Sequence, residues 1–316
     1  MPHCPIDAAA ICRDKFGARE AFRLAAVPSA KCRLANTLSD ARQAADEIGY
    51  PVVVKPRALC ASFGVSLVGA ESELAGAFAS AQSSKLPEAW AHRDGVLVEE
   101  YLDGPEISVD SIVRDGRVTP VLYAKKLLGF APFFEEIGHI VAPFDAVPEQ
   151  QREIRDVIVR AHRALGIDNL TTHTEVRLTS RGPRIIEVNG RAGGDLIPYV
   201  GLLASGLDIG GASADVAIGV EPDIPFIGRG IGGIRFFYPS SAGRFQSAEM
   251  PLGYEQPPWL LEFTCLAEPG MDLKLVPGEY IFSRTGFAIV SGETFEECET
   301  RLEAVGRAVT VEVRAS

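Results

Sequence analysis

The segment from Thr172 to Asp195, T-H-T-E-V-R-L-T-S-R-G-P-R-I-I-E-V-N-G-R-A-G-G-D, carries two glutamates, an asparagine, an arginine and a glycine pair in an order suited to holding a metal ion against phosphate. Thr174, Val176 and Leu178 alternate with His173, Glu175 and Arg177, and Ile186 and Val188 alternate with Glu187, Asn189 and Arg191. That is the period of two half-buried strands, and Ser180-Arg181-Gly182-Pro183 between them is a turn. A hairpin centred on Arg181 pairs Val176 with Ile186 and Thr174 with Val188, whereas a slip of one residue would bury carboxylates. This register sets Glu175 opposite Glu187. Like charges facing across a ladder cost up to about 1 kcal/mol, unless a cation stands between them, and a divalent ion would meet both. Asn189 adds a neutral oxygen, Arg191 a fixed cation on the same face, and Gly193-Gly194 lets backbone approach an anion. The expected chemistry is the binding of magnesium and phosphate oxygens. The same alternation also suits an exposed polar hairpin face closed by a glycine-rich loop.

The elements that must position these residues are legible on either side. A helix is predicted from Arg13 to Ala26, with Phe16, Phe22 and Ala26 roughly on one face and Val27-Pro28 as its stop; Lys15, in its first turn, reads by itself as solvated. A second helix, Leu38 to Ile48, has Thr37 or Ser39 to cap it and Gly49-Tyr50-Pro51 to break it. The β-branched run from Tyr50 to Pro56 ends in Lys55. A lysine at the end of a buried strand calls for an anion such as phosphate, or else snorkels outward. A loop from Arg57 to Phe63, a strand over 64–68 and a helix from Glu71 to Ser83 follow. The strand that begins at Val96 turns at Asp103-Gly104-Pro105, marking a junction between lobes where backbone groups could bond a flat heterocycle. Strands over 107–113 and 118–126 flank a D-G hairpin turn. Leu127 to Pro143 reads as a loop carrying Glu136 and His139 among aromatics, with no role for His139 on its own. Helices are expected over 149–165 and 207–220, then a linker over 221–225, and a late helix over 294–305. Gly228 to Gly233 matches G-x-G-x-x-G, but a strand follows it, which excludes a dinucleotide fingerprint.

With 316 residues and 47% hydrophobic content, the chain can bury a large core divided over two or three lobes. Its 31 basic and 42 acidic residues leave a net charge of −11, which argues against coating a nucleic acid. No apolar run approaches the ~18 residues of a membrane span, and the start M-P-H-C-P-I-D lacks the pattern of a leader, so the cytoplasm is the expected location. The cysteines at 4, 12, 32, 60, 265 and 298 form no metal-binding spacing.

Asp14-Lys15, Tyr50-Pro-Val-Val-Val-Lys55-Pro, Ser62-Phe-Gly64-Val, Val98-Glu-Glu-Tyr-Leu102 with Glu106, Glu175, and Glu187-Val-Asn189-Gly-Arg191 occur in an order that resembles the ATP-grasp superfamily over about 13–220. G-P-E-I-S-V-D, F-F-E-E-I-G-H and N-G-R-A-G-G-D are most similar to its L-amino acid ligase branch, with biotin carboxylase and D-alanine:D-alanine ligase more distant. The resemblance implies an α+β, ATP-grasp fold, with two α/β lobes enclosing the nucleotide and a small C-terminal β-rich lobe. The divisions expected are a lead-in over 1–35, a small lobe over 36–104, a large lobe with the metal site over 105–225, and the C-terminal lobe over 226–316. It further implies that Lys15 and Lys55 contact the ATP phosphates, that Ser62 lies in the phosphate-covering loop, and that the backbone of Glu100 and Leu102, next to Glu99, holds adenine. Glu106 would meet the ribose, and Lys125, or its neighbour Lys126, would also touch the nucleotide. Glu175, Glu187 and Asn189 would hold two magnesium ions, with manganese able to substitute. Arg191 would stabilise a tetrahedral intermediate, and Glu136 and His139 would lie near the substrates.

The activity so implied is phosphoryl transfer from ATP to a carboxylate, then attack by an amine on the acyl phosphate. A bicarbonate-activating carboxylase and a non-catalytic ATP-binding subunit are the alternatives. The implied partners are small-molecule carboxylate and amine substrates, with neither nucleic acid nor membrane. The sequence departs from the family at Leu59-Cys60-Ala61, where relatives carry more glycine, which implies a stiffer loop. Relatives also carry a further α/β domain of about a hundred residues ahead of this point, so a shortened member, a fragment, or a chain that borrows that wall from a partner is expected, and the resemblance also implies a homodimer.

Overall fold

The computed structural model describes residues 3–85, 94–147, 150–224, 230–277 and 279–315. In chain order the elements are α1 (Ile6–Ile11), α2 (Lys15–Leu24), β1 (Cys32–Ala35), α3 (Leu38–Ile48), β2 (Val52–Pro56), β3 (Ser66–Val68), α4 (Glu71–Ser83) and β4 (Val96–Glu100). Then come β5 (Glu106–Arg114), β6 (Arg117–Gly129), β7 (Glu135–Pro143), α5 (Gln151–Leu165), β8 (Leu170–Thr179), β9 (Gly182–Asn189), α6 (Ile197–Ser205) and α7 (Ile209–Ile218). The last are β10 (Ile231–Phe237), β11 (Gly243–Glu249), β12 (Leu260–Cys265), β13 (Asp272–Leu273), β14 (Gly286–Gly292), α8 (Phe295–Ala308) and β15 (Thr310–Arg314).

The strands form a four-stranded sheet ordered β1-β4-β2-β3, an eight-stranded sheet ordered β12-β14-β10-β7-β6-β5-β8-β9, and a three-stranded sheet ordered β13-β11-β15. Helix and sheet are thus mixed in an α+β arrangement. In the small sheet, Val52, Val54, Val96 and Val98 pack beneath Ala41, Ala44 and Ala45 of α3 and Leu74 and Phe78 of α4. The large sheet buries Ile107, Val109, Val176 and Val188 against Ile154, Val157, Ile158, Ala161 and Leu165 of α5 and Phe22 of α2. Each fully buried aliphatic side chain contributes about 1.5–3 kcal/mol. Because side chains alternate across a strand, this face leaves Glu106, Ser108, Asp110, Glu175, Arg177 and Glu187 on the other.

Several expectations need correction. The segment 127–143 is not a loop: β6 runs on to Gly129 and β7 starts at Glu135, so the aromatic cluster marks only the turn of a hairpin. β7 lies between β6 and β10, covered on both faces, so its residues need no alternation to be strand. Val176 pairs with Ile185 and not Ile186, because a bulge follows Glu175, while Thr174↔Val188 and Glu175↔Glu187 hold. The extra residue re-aims the hairpin without disturbing the pair of glutamates. Helix α2 starts at Lys15 because Asp14 caps it, accepting from the Gly17 N–H at 3.2 Å. The helix expected over 207–220 is α7, and an unassigned helix, α6, precedes it at an angle of 107°.

Within 226–316 the strands divide between two sheets. β10 pairs with β7, so β10, β14 and β12 extend the large sheet, and only β11, β13 and β15 stand apart. The lead-in ties both lobes together: β1 joins the small sheet, and the Ile185 N–H of the large sheet donates to the Pro28 carbonyl at 2.9 Å. Glu149, Pro225, and Gly228 and Arg229 of the glycine motif lie outside the described residues, as does the 225/226 boundary. Among the described residues, no single helix is long and apolar enough to cross a membrane.

Candidate functional site

Between the four-stranded and eight-stranded sheets lies a cleft lined from the small-lobe side by Lys15, Lys55, Ser62, Glu99, Glu100 and Leu102, and from the large-lobe side by Glu106, Glu136, Glu175, Glu187, Asn189 and Arg191. Of the candidate site residues named from the sequence, Lys125, Lys126 and His139 are not among its lining.

On the small-lobe side, the Lys55 ammonium finds its anion in the protein: it lies 2.5 Å from Glu99 Oε2, with both side chains almost fully buried. Arg19 of α2 donates to the same oxygen at 3.1 Å, and its Nε stands 2.9 Å from Glu99 Oε1, a close ion pair not aligned as a hydrogen bond. Burial would raise the Glu99 carboxyl, but Arg19 and Lys55 hold it below the usual carboxylate range. Glu99 therefore acts on the cleft through Lys55, and its own carboxylate is engaged. Lys15 is not solvated: it reaches across to Glu187 Oε1 at 3.1 Å and donates to the Leu59 carbonyl.

The loop over 59–64, poorer in glycine than the family pattern, is closed down on its neighbours. Ala61 and Ser62 take left-handed φ values of +53° and +55°, Ser62 Oγ donates to the Phe134 carbonyl at 3.1 Å, and the Phe63 ring lies 4.7 Å from that of Tyr280. At the lobe junction, the Glu100 carboxylate accepts from the Lys31 N–H at 3.2 Å and from Arg181 at 2.5 Å, while Leu102 is buried.

On the large-lobe side, strand register assembles the polar face. Glu106 lies opposite Arg177, Ser108 opposite Glu175 and Asp110 opposite His173. Glu175 lies opposite Glu187 and His173 opposite Asn189. Lys126, opposite His139, reaches Glu106 at 2.9 Å, Glu136 at 2.8 Å and Glu175 at 3.2 Å. Its charge survives burial, since the opposing effect of the three carboxylates raises it well above the usual lysine value. Lys125 points the other way, to Glu299 of α8. The lysine that meets the site is its neighbour, because consecutive side chains leave a strand on opposite faces. Glu106 is held from the other side by Arg177 at 2.9 Å.

Burial would raise the Glu175 carboxyl, but Lys126, His173 and Lys15 bring it down to about 2, so it is ionised at neutral pH. With Glu187 facing it and Asn189 on the same hairpin, the donor set is two carboxylates and an amide oxygen. Hard oxygen donors of this kind suit magnesium and would not select zinc or copper. Arg191 is exposed at the cleft and donates to the Ala192 carbonyl at 2.8 Å.

His139 is fully buried on β7, its Nε2 3.3 Å from both Glu136 Oε2 and Asp195 Oδ2. It is therefore behind Glu136 and not in an open loop. Around it lies a network that the sequence reading missed. Arg284 grips Asp195 at 2.7 and 2.9 Å, donates to the Tyr238 hydroxyl at 2.9 Å, and stacks 3.8 Å from the centroid of the Phe236 ring. Tyr238 in turn donates to Glu135 at 2.6 Å. The ligand atoms of Glu136, His139 and Asp195 lie within 4.8 Å of one another. Lys126 and Arg284 already neutralise these two carboxylates, which makes the cluster a closed ion-pair network and not a second metal centre. Arg177 and Lys126 were detectable from strand alternation; nothing in S-R-T-G or F-F-Y-P marked Arg284 and Tyr238.

Glu135 gives this network a pH dependence. Burial, opposed by Tyr238 and Arg284 and reinforced by Glu136 and Asp195, pushes its carboxyl up to about 7. A carboxyl raised on folding adds stability below its unfolded value, near 4.5, and that contribution is lost as pH rises through about 7. Glu135→Gln is therefore expected to be more stable than the parent at pH 8 by about 1–3 kcal/mol and indistinguishable from it at pH 4, as read by urea denaturation at the two values.

Residues 48–198 match the family model of the ATP-grasp domain. The chain is 33% identical over 239 residues to alanine–anticapsin ligase of Bacillus subtilis, covering 70% of this chain and 50% of that protein. It is 25% identical over 201 residues to the D-alanine–D-alanine ligase of Acidovorax ebreus, covering 60% of this chain and 58% of that one. The chain thus spans about half the length of the curated relatives it matches. In fold it is similar to the L-amino acid ligase of Bacillus licheniformis, with a TM-score of 0.85 at 23% identity, over 99% of this chain and 76% of that one. Enzymes of this family use ATP with divalent metal ions. By domain match, relatives and fold together, residues 48–198 form an ATP-grasp domain, in keeping with the L-amino acid ligase branch of that superfamily.

Proposed function

We propose that this protein is an ATP-dependent carboxylate-amine ligase that joins amino-acid substrates and releases ADP and phosphate. The observation that carries the reading is the pair Glu175 and Glu187, face to face with Asn189 beside them on the large-lobe side of a cleft whose other side presents Lys15 and Lys55. Such a cleft matches a triphosphate, with carboxylates toward its metal and ammonium groups toward its oxygens.

In this reading Glu175, Glu187 and Asn189 hold two magnesium ions, for which manganese can substitute, and the metal supplies charge neutralisation for in-line phosphoryl transfer. Lys15 and Lys55 orient the phosphates. The backbone of Glu100 and Leu102 receives the adenine, and Glu106, fixed between Arg177 and Lys126, receives the ribose hydroxyls. A substrate carboxylate oxygen attacks the γ-phosphorus, the bond to the β,γ-bridging oxygen breaks, and ADP leaves. The substrate amine then attacks the acyl carbon. Arg191 stabilises the oxyanion that forms, the C–O bond to phosphate breaks, and the amine gives up a proton. Glu136 stands on the substrate side, backed by His139. The location that fits this chemistry is the cytoplasm.

The test is nucleotide turnover by the purified chain. Mg-ATP should yield ADP and phosphate in equal amounts only when a mixture of amino acids is added, with a new amide detected by mass spectrometry. Turnover independent of amino acids and stimulated by bicarbonate would overturn the ligase reading.

A further inference from the structure

Asp110 and His173 lie behind the cleft and outside its lining, and the mechanism above makes no use of them. They are cross-strand neighbours on β5 and β8, 1% and 4% exposed. His173 Nδ1 stands 2.6 Å from Asp110 Oδ1. The other Asp110 oxygen accepts from the backbone N–H of Gly193 at 3.0 Å. On its far side, His173 Nε2 is 3.9 Å from Glu175 Oε1. One buried pair is therefore hydrogen-bonded to the loop that follows Asn189 and Arg191 and lies within ion-pair distance, though not hydrogen-bond distance, of Glu175.

The approach of that loop is close. A Cβ on Gly193 would stand 3.0 Å from Asp110 Oδ2 and 3.1 Å from His173 Nδ1, tighter than side chains tolerate without displacement, so glycine at 193 is what allows the carboxylate to seat the turn. A buried pair of this kind is a poor device for stability alone, since apolar residues of similar size usually serve as well or better. Its value lies in fixing geometry. Groups that hold a metal's ligands by hydrogen bonding set their orientation, and their loss weakens metal affinity by about 10–100-fold.

We propose that Asp110 and His173 are positioning residues, which fix Glu175 relative to the Gly193 turn and so hold Glu175, Asn189 and Arg191 at the spacing the metal-nucleotide complex requires. The inference deepens the ligase reading and rests on it for the identity of the ligand.

The test measures ATP binding to the purified chain by calorimetry across a magnesium series, with turnover and thermal melting alongside. Asp110→Asn should retain its fold but need about 10–100-fold more magnesium for half-maximal ATP binding. Its kcat should fall while its KM for ATP at saturating magnesium stays near that of the parent. His173→Asn, which keeps an N–H near the position of Nδ1, should recover more of the magnesium affinity than His173→Leu, and it carries the same test if Asp110→Asn fails to fold. Variants that melt earlier yet keep the parent's magnesium dependence would overturn the inference and leave the ligase reading intact. A parent chain without magnesium-dependent ATP binding would overturn both.

Discussion

Glu187→Gln is expected to fold normally and to lose magnesium-dependent ATP turnover by about 10²–10³-fold, the scale of losing one preorganised electrostatic contact at a phosphoryl-transfer site. The structural cost is small. Glu187 is paired with Lys15 at 3.1 Å, and the side chains keep 16% and 11% of their exposure, so an amide oxygen can still accept from the ammonium. The chemical cost is large because Glu187 and Glu175 face each other across the ladder and, in the proposed function, would divide the work of holding a cation that each alone would bind weakly. The loss should appear as a raised magnesium requirement, partly recovered at high magnesium, with melting within a few degrees of the parent. Turnover at the parental rate and magnesium midpoint would remove Glu187 from the metal site. It would also make the facing carboxylates a structural pair balanced by Lys15 and Lys126.

The β8–β9 hairpin was legible because two independent constraints agreed there: alternation fixed the faces, and the penalty for burying carboxylates fixed the register of the glutamate pair. The bulge at Val176↔Ile185 escaped, since one extra residue leaves no mark on composition. Lys15 and Lys55 were visible as cations at element ends, but their present partners were not. Glu99 on β4, which the small sheet places beside β2, pairs with Lys55, and Glu187 pairs with Lys15 across the cleft. Such long-range pairings depend on sheet order, which local spacing does not encode. The failure at 127–143 is of a different kind. A central strand covered on both faces needs no alternation, and F-A-P-F-F suggested a loop through the whole segment when it marked only the turn. With β7 misread, His139 looked exposed, and Arg284 and Asp195 had nothing to point to. The choice of Lys125 over Lys126 was an error of parity, one residue along a strand whose faces had not been assigned.

Lys126 is where the site's electrostatics are most exposed to a single change. Its side chain is 1% exposed and faces Glu106, Glu136 and Glu175 at 2.9, 2.8 and 3.2 Å. Lys126→Met would preserve much of the apolar stem and leave three carboxylates without their shared cation. Removing one partner of a buried ion pair costs about 3–5 kcal/mol, and the loss at pH 7 should be on that scale, with Lys126→Arg losing less. The pH dependence separates this cause from simple packing. In the parent, the Glu175 carboxyl is lowered to about 2 on folding from its ordinary 4.5, so its contribution is present above the unfolded value and is lost as pH falls through the folded one. In Lys126→Met the Glu175 carboxyl would instead be raised by burial without its cation, a contribution with the opposite sign, present at low pH and lost as pH rises. The two proteins should therefore converge in stability as pH falls to about 2 and diverge toward pH 7, as read from urea midpoints across that range. A constant gap at every pH would mean that Lys126 matters for its volume and not for its charge, and that it does not keep Glu175 ionised.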